Sequence, residues 1–468
     1  MIPRFMPALL ALAISQLSAP LCAAEPALPE GLGGESTPSD TAEPVLPEGI
    51  GDATPAIEDT AAPNRTPVEF SGFWEARIGT RTQSDSNERQ TSMLETRAQF
   101  RVERPGDKVS LKLTADLLYD DLAETHHLDL DTGEGNLDLR EASILLRPAD
   151  SVDLKLGRQV LTWGTGDLVF INDMFPKDWV SFFIGRDVEY LKAPSDAVKV
   201  SLFSDAVNLD LVYTPRFDPD RYIDGERISF FNPALGTRTG RDNPLKVDLP
   251  DNAYQDDEIA ARLQTNWSGY ELAAYGYKGF WKSPAGSDPA SGRALFPELD
   301  VYGLSVRGTV GPGIGNIELG YYHSGDDSGG SDPNIRNSEY RFLAGYEQEI
   351  ARETTLGIQY YLEYMDDYDN YGDSLPADIN ARDEDRHVVT IRLTRLAMQQ
   401  DLVLSLFTFY SPSDEDGYIR CNASYRIDDR WTVDGGLNLF FGEEDYTFFG
   451  QFEKNSNIYT GIRYGFGQ

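Results

Sequence analysis

Apolar and polar positions alternate along most of this chain, in segments of roughly 9 to 13 residues that turn residues separate. In one segment, Leu356, Ile358 and Tyr360 alternate with Gly357 and Gln359. A period of two predicts β-strands with one apolar and one polar face. The segment length matches that of a tilted strand that crosses a bilayer.

Three further features favour a membrane barrel over a soluble β-sandwich, which would show the same alternation. Aromatic residues concentrate near the segment ends, and the connections alternate between short and long ones. The last segment, residues 458–466, contains a glycine followed by aromatic residues two positions apart. This ending resembles an outer-membrane assembly signal, which we assign to Gly461, Tyr464 and Phe466.

The segments form about nine hairpins, so we predict an all-β fold, a transmembrane antiparallel β-barrel of about 18 strands. The alternative is 16 strands, because both chain ends face the periplasm and the number must be even. The barrel domain covers residues 67–468. A barrel of this size leaves a water-filled lumen unless loops plug it, so the sequence predicts an outer-membrane channel for small solutes.

The N-terminus indicates where the protein resides. Residues 1–24 have the pattern of a cleaved signal peptide, with Arg4 before a short apolar core and small residues before the cleavage site. The core is too short to remain as an anchor. We therefore predict export, and the outer membrane of a Gram-negative bacterium as the location.

Residues 25–66 are acidic and rich in proline, and they offer few large apolar side chains. Such a composition cannot bury a core, which predicts a disordered periplasmic tail. The motif Leu-Pro-Glu-Gly-Leu-Gly at residues 28–33 recurs at residues 46–51 with isoleucine as its fifth residue. The alternative is therefore a docking segment for a periplasmic partner.

The formal net charge of −36 and the pI near 4.4 exclude nucleic acid, because binding phosphates requires lysine and arginine. The same excess predicts a preference for cations in the channel. We expect outer-membrane lipid and the barrel-assembly machinery as partners, and the sequence allows a homo-oligomer.

Charged side chains of both signs fall in the polar register of the segments, where they would face the lumen and filter permeants. The predicted lumen-facing residues are Lys112, Asp116, Arg262, Arg341, Glu363, Arg392 and Arg463. The alternative is that these charges pair across strands and only keep the wall wet.

The loop at residues 162–197 follows the fifth predicted strand and carries aromatic residues where an exposed loop favours small polar ones. We therefore predict that it folds back into the barrel. The predicted pore and constriction residues are Arg158, Asp167, Asp173, Lys177, Asp178, Arg186 and Glu189. The alternative is a surface loop whose aromatic residues pack among themselves.

A family resemblance appears in this stretch. The positions that carry it are Gly157-Arg158-Gln159, Trp163-Gly164, Asp167, Asp173, Pro176, Asp178, Arg186 and Pro194. They resemble the signature of a porin-like proteobacterial family of unknown function. Phe175 departs from the asparagine expected before this proline, and the acidic tail is not part of the pattern.

The resemblance implies an outer-membrane barrel with a role in transport. Some members of that family sit beside hydrophobe-exporting pumps of the resistance-nodulation-division type. The alternative function is therefore a plugged or gated barrel that acts as the outer-membrane partner of an export or conduit complex.

A lipid hydrolase built into the barrel is the remaining alternative. The chain has four histidines, at positions 126, 127, 323 and 387, and no recognisable catalytic motif, so we predict no enzyme and no catalytic residues. The acidic loops at residues 129–134 and 366–373 lack the spacing of an EF-hand. We predict no metal and no cofactor, and weak Ca²⁺ binding by these loops stays open.

Overall fold

The structure, a computed structural model, describes residues 68–467 except 124–127, 131–132, 134, 234 and 377–380. The predicted signal peptide and the predicted tail, residues 1–24 and 25–66, lie outside the described residues. Both assignments therefore stay predictions.

The alternating segments form strands that pair into one antiparallel sheet. The first nine strands of this sheet are β1 (Glu69–Arg81), β2 (Thr91–Arg104), β3 (Val109–Asp120), β4 (Leu137–Ala149), β5 (Val152–Val160), β6 (Pro194–Leu202), β7 (Asn208–Thr214), β11 (Glu258–Trp267) and β12 (Tyr270–Phe280). The other nine are β15 (Glu298–Val310), β16 (Gly313–Ser324), β17 (Glu339–Ala351), β18 (Thr354–Met365), β19 (Asp385–Ala397), β20 (Leu402–Ser411), β21 (Asp416–Arg426), β22 (Trp431–Gly442) and β23 (Asn457–Phe466).

Each strand of the sheet pairs with the next along the chain, and β23 pairs with β1, so the sheet closes into a barrel of 18 strands. The prediction of about 18 strands is confirmed. Smaller elements lie in the loops: strands β8 (Phe230–Asn232), β9 (Thr237–Thr239), β10 (Val247–Asp248), β13 (Gly286–Asp288) and β14 (Arg293–Leu295), α-helices Trp179–Ile184 and Tyr368–Ser374, and 3₁₀-helices Val188–Leu191 and Gly450–Asn455.

The apolar face of the strands points away from the lumen. On β3, Leu111, Leu113 and Leu117 point outward and are 39%, 45% and 53% exposed, whereas Asp116 and Asp120 point inward and are buried. This arrangement is the inverse of a soluble sandwich, and it suits lipid on the outside. Among the described residues, no helix is long and apolar enough to cross a membrane.

Aromatic residues cover the line where the barrel closes. The rings of Phe70, Phe100 and Phe466 lie 5.9 to 6.3 Å apart between centroids, and Trp431 packs on Tyr464 at 4.9 Å. Aromatic girdles of this kind occur at membrane interfaces of outer-membrane barrels. The last strand therefore joins the girdle through the two aromatic residues of the predicted assembly signal.

The connections differ at the two ends of the barrel. At the end that holds both chain termini, strands are joined by turns of two to five residues, such as 150–151 and 311–312. At the opposite end most loops are longer, and the longest two are residues 161–193 and 215–257. Short periplasmic turns and long external loops are typical of outer-membrane barrels.

Candidate pore and the segment that crosses it

Residues 161–193, here called the inward segment, join β5 to β6 and lie inside the barrel. Many of their apolar side chains are buried, among them Trp163, Ile171, Phe175, Phe182 and Phe183. A surface loop could not bury so many large side chains, so burial against the inner wall places this segment in the lumen. The inward folding predicted from the sequence is confirmed.

Glu318 on β16 anchors the first half of the inward segment. Its carboxylate accepts hydrogen bonds from the backbone N–H groups of Thr165 and Gly166, the second at 2.7 Å, and from the Thr165 hydroxyl at 2.8 Å. Its other oxygen accepts from the side-chain amide of Asn172 at 2.9 Å. Glu318 is 1% exposed, so these donors supply the hydrogen bonds that water no longer can.

Two glycines make room for the same part of the segment. Gly303 on β15 and Gly320 on β16 lie directly opposite each other, and we call this pair the glycine notch. A Cβ atom on Gly303 would lie 1.7 Å from Oδ1 of Asn172, and one on Gly320 would lie 2.7 Å from Cγ2 of Ile171. Glycine inside a strand marks such close approaches, so Ile171 and Asn172 insert into the wall at this notch.

The second half of the segment is held by the opposite wall. Its helix, Trp179–Ile184, begins at the N-cap Asp178 and ends at Gly185, whose φ of 99° requires the left-handed region that glycine tolerates. The carbonyl groups at its end accept hydrogen bonds from wall side chains: Phe182 O from Arg420 at 3.1 Å, and Phe183 O from both Asn438 and Asn457 at 3.0 Å.

Ion pairs connect the end of the segment to β2 and β3. Arg186 binds the carboxylate of Glu95 through two nitrogens, at 3.0 and 2.6 Å. Tyr190 donates to Asp116 at 2.8 Å and lies 4.1 Å beneath the guanidinium of Arg97. Pairs of this type, with several hydrogen bonds per charge, are the form in which buried charge is tolerated.

The predicted constriction residues fall into three groups. Asp167 and Glu189 keep 39% and 45% of their side-chain surface exposed, and they face Arg392 and Arg463 of the inner wall. These two carboxylates are the members of the set that water and solutes can reach.

Three further members of that set, Asp173, Lys177 and Asp178, are buried in contacts within the barrel, and a fourth, Arg186, keeps only 11% of its side chain exposed. Asp173 binds Lys177 at 3.0 Å, Asp178 caps the helix and binds Arg221 at 3.2 Å, and Arg186 binds Glu95. Their role in the geometry is to hold the segment, because side chains with so little solvent contact offer almost no surface to a permeant.

Arg158 is the exception to the predicted constriction. The cross-strand register places Arg158 in the same row as Ala142 and Asp196. The next row on the same face of the sheet contains Leu156 and Ile144, which point outward. It binds Asp196 at 2.9 Å and the Leu130 carbonyl of an external loop. The register therefore places Arg158 on the outward side of β5, beside an external loop, and not among the residues that line the lumen.

The seven predicted lumen-facing residues all lie in inward rows, but each has a partner of opposite charge. Asp116 is fully buried under the inward segment. The others keep between 13% and 42% of their side chains exposed and pair as follows: Lys112 with Glu141, Arg262 with Asp210, Arg341 with Glu339, Glu363 with Arg336, Arg392 with Asp167 and Arg463 with Glu75.

Sequence reasoning missed the residues that receive the inward segment. Glu318, Gly303, Gly320, Asn438 and Asn457 belong to no motif, and their partners lie more than 100 positions away. The available signal was glycine or asparagine at inward positions of strands whose other inward residues are large. Such a residue predicts that another part of the chain approaches the strand closely, but it does not identify that part.

The longest external loop, residues 215–257, lies against other external loops. Arg221 in this loop binds Asp138 and Asp178, and the backbone N–H of Arg241 donates to Glu88 at 3.2 Å.

Burial raises the pKa of Glu88 to about 7, although Arg81 opposes the shift. Burial likewise raises the pKa of Asp218 to about 6, against the effect of Lys282.

No protein-family model and no curated protein sequence matches the chain. The resemblance of the local signature to one family therefore stays a prediction. Solved structures do match: OccAB3 of Acinetobacter baumannii has a TM-score of 0.50 at 10% identity, over 85% of this chain and 99% of that one.

Two further matches have lower scores. OmpF of Salmonella typhi, in complex with daunomycin, has a TM-score of 0.42 at 10% identity, over 87% of this chain and 99% of that one. A triple mutant of the Rhodopseudomonas blastica porin has 0.37 at 11%, over 86% and 100%. The OccAB3 match shows that the chain has the fold of the porin-like β-barrels. Its closed sheet, apolar outer face and aromatic girdle show that it is an outer-membrane protein.

Proposed function

We propose that the chain is a channel for passive diffusion of small solutes, in which the inward segment forms the constriction. The observation that carries the proposal is a lumen lined by partly exposed charges and crossed by one loop. A wide barrel with a polar interior conducts unless it is blocked. A porin-like fold alone does not assign a function, so the proposal depends on the charges that line the lumen and on the inward segment.

We further propose that the constriction favours cations. The inward segment presents three carboxylates that keep 39% to 45% of their surface exposed, Asp167, Asp187 and Glu189. Fixed charges of one sign in a narrow aqueous path raise the local concentration of the opposite ion. Arg392 and Arg463 reduce this effect because they lie next to the same carboxylates.

Conductance in planar bilayers under a KCl gradient tests the proposal. We expect stable current steps, and we expect D167N and D187N to lower the cation-to-anion permeability ratio by about twofold. Asn at position 187 retains a side-chain oxygen for the cap of the following 3₁₀-helix. D205N, in a periplasmic turn, is the matched control and should leave the ratio unchanged.

A gated form of the same function is favoured by the number of contacts that hold the segment. Its atoms bond residues of β1 to β4 on one side and of β16, β18, β19, β21, β22 and β23 on the other. A folded barrel without current steps would support this reading, in which a partner or solute must move the segment.

Transport is favoured over catalysis by the placement of two histidines. His323 and His387 lie in the outward rows of β16 and β19, where His323 stacks on Tyr321 and His387 bonds Tyr360 at 2.8 Å. Both rings face the membrane region instead of the lumen. His126 and His127 lie outside the described residues.

A further inference from the structure

Three lysines face the open part of the lumen within the part of the wall that strands β3 to β6 form. Lys112 on β3, Lys155 on β5 and Lys199 on β6 lie near the periplasmic ends of their strands, and we call them the lysine wall. Their side chains are 42%, 27% and 24% exposed. The chain has only ten lysines, so three of them on one part of the inner wall form a local cluster of lysine.

Two of these lysines are direct cross-strand neighbours. Lys155 and Lys199 pair in the β5–β6 register, and Leu145 and Val212 are the next residues in that row on either side. Directly opposed side chains have Cβ atoms about 4.5–5.5 Å apart, and like charges there destabilise a sheet. The β5–β6 register therefore places two like charges side by side between apolar neighbours, an arrangement that costs stability.

Carboxylates nearby neutralise the wall only in part. Glu141 is shared by Lys112 at 3.1 Å and Lys155 at 2.9 Å. Asp210 lies 3.9 Å from Lys199 but binds Arg262 at 2.6 Å. Lys112 also lies 3.6 Å from Glu103. Among the described residues, three carboxylates thus serve the three lysines and Arg262, and Lys199 has the longest contact of these four cations.

The choice of lysine separates this surface from the rest of the lumen. The cations that hold the inward segment are mainly arginines, such as Arg77, Arg186 and Arg420, whose planar groups form several fixed hydrogen bonds. Lysine instead carries a hydrated point charge on a flexible stem. A flexible, solvent-exposed cation suits transient contact with a mobile anion better than a fixed structural contact.

We propose that Lys155 and Lys199 form a binding site for an oxyanion, the carboxylate or phosphate group of a solute that enters the lumen. Lys112 and Arg262 extend the site along the wall. The proposal rests on the proposed channel for its biological meaning. It concerns the charged group of a solute, and it is independent of which simple ion carries most of the current.

Calorimetric titration of the detergent-solubilised full chain tests the site directly. Inorganic phosphate and succinate are the two probes, and the tighter of them identifies the class of oxyanion. We expect the K155Q,K199Q variant to bind the preferred probe at least tenfold more weakly. K199R, which keeps the charge, should retain binding, and K278Q, which removes an outward lysine with a 75% exposed side chain, should not change it.

Block of the KCl current by the same probes separates this proposal from the channel itself. Conductance with equal probe affinity in the wild type and the double glutamine variant would overturn the lysine site and leave the channel intact. Lysine-dependent binding in a barrel that gives no current would support the site and reject the open channel. Absence of binding in the wild type would reject the site.

Discussion

The wall residues that hold the inward segment, here called the seat (Glu95, Gly303, Glu318, Gly320, Asn438 and Asn457), and the lysine wall both face the lumen but use charge in opposite ways. At the seat, Glu318 and Glu95 are nearly excluded from solvent and accept several hydrogen bonds each. At the wall, Lys155 and Lys199 stay in water and share their counter-charges. The difference teaches that a side chain that faces the lumen is a pore residue only if it also contacts solvent.

The two regions should therefore respond differently to substitution. Removing one partner of a buried, hydrogen-bonded pair leaves an uncompensated charge and costs about 3–5 kcal/mol. Removing an exposed partner changes stability by roughly 0–1 kcal/mol. Substitutions at the seat should alter the position of the segment, whereas substitutions at the wall should alter binding alone.

The largest effect is expected from filling the glycine notch. G303V places a side chain where Asn172 sits, because a Cβ there would lie 1.7 Å from its Oδ1. Ile171 and Asn172 must leave the wall, so we expect a severalfold increase in single-channel conductance. The current steps of the variant in planar bilayers measure this change.

G276V is the matched control for the notch. Gly276 lies inside β12, and a Cβ atom there would meet nothing within 4 Å. The G276V variant also replaces a glycine within a strand but creates no collision, so its conductance should equal that of the wild type. Equal conductance in G303V and G276V would contradict the role assigned to the notch.

A smaller effect is expected from removing the carboxylate of Glu318. E318A leaves the N–H groups of Thr165 and Gly166 without their acceptor in a partly buried site. Hydrogen bonds to a charged group contribute about 1.5–3 kcal/mol each, so the first half of the segment should open locally. Hydrogen exchange of residues 165–172 should accelerate by at least tenfold.

E347Q supplies the comparison for Glu318. Glu347 is an inward but exposed carboxylate on β17, near the periplasmic end of its strand. Its replacement should leave the exchange of residues 165–172 unchanged. If E318A exchanges no faster than E347Q, the anchor must lie in the apolar contacts of Ile171 and Phe175 instead.

The barrel was predictable because its signal is local. Each strand repeats an alternation of period two, as in Leu111, Leu113 and Leu117, and a tertiary contact is not needed to read it. The inward fold of residues 161–193 was predictable for a related reason. Trp163 and Phe182 are too apolar for an exposed loop, so composition alone indicates burial.

The seat could not be predicted because its contacts join distant positions. Asn172 meets Glu318 across 146 residues, and Asn457 meets Phe183 across 274. A charge at position 173 looks the same in sequence as one at position 167, but only the structure shows that Asp173 is buried by Lys177 while Asp167 stays in contact with solvent. Only the cross-strand register shows that Arg158 points away from the lumen.

The external loops provide a third environment and the smallest expected effect. The Glu88 carboxylate is buried beside Arg81 and the N–H of Arg241, and its pKa is raised to about 7 from an ordinary value of 4.5. The folded loops therefore bind more protons than the open ones between these two values. Their packing is strongest below about pH 4.5 and weakens as the pH rises through 7.

Hydrogen exchange of residues 82–90 at pH 5 and pH 8, corrected for intrinsic rates, measures this dependence. We expect a few-fold greater protection at pH 5 in the wild type, and little difference between the two values in E88Q, whose neutral amide cannot ionise. E444Q, an exposed glutamate of another external loop, should behave as the wild type does. Equal pH dependence in E88Q and E444Q would assign the effect to another group, of which Asp218, with a pKa near 6, is the first to test.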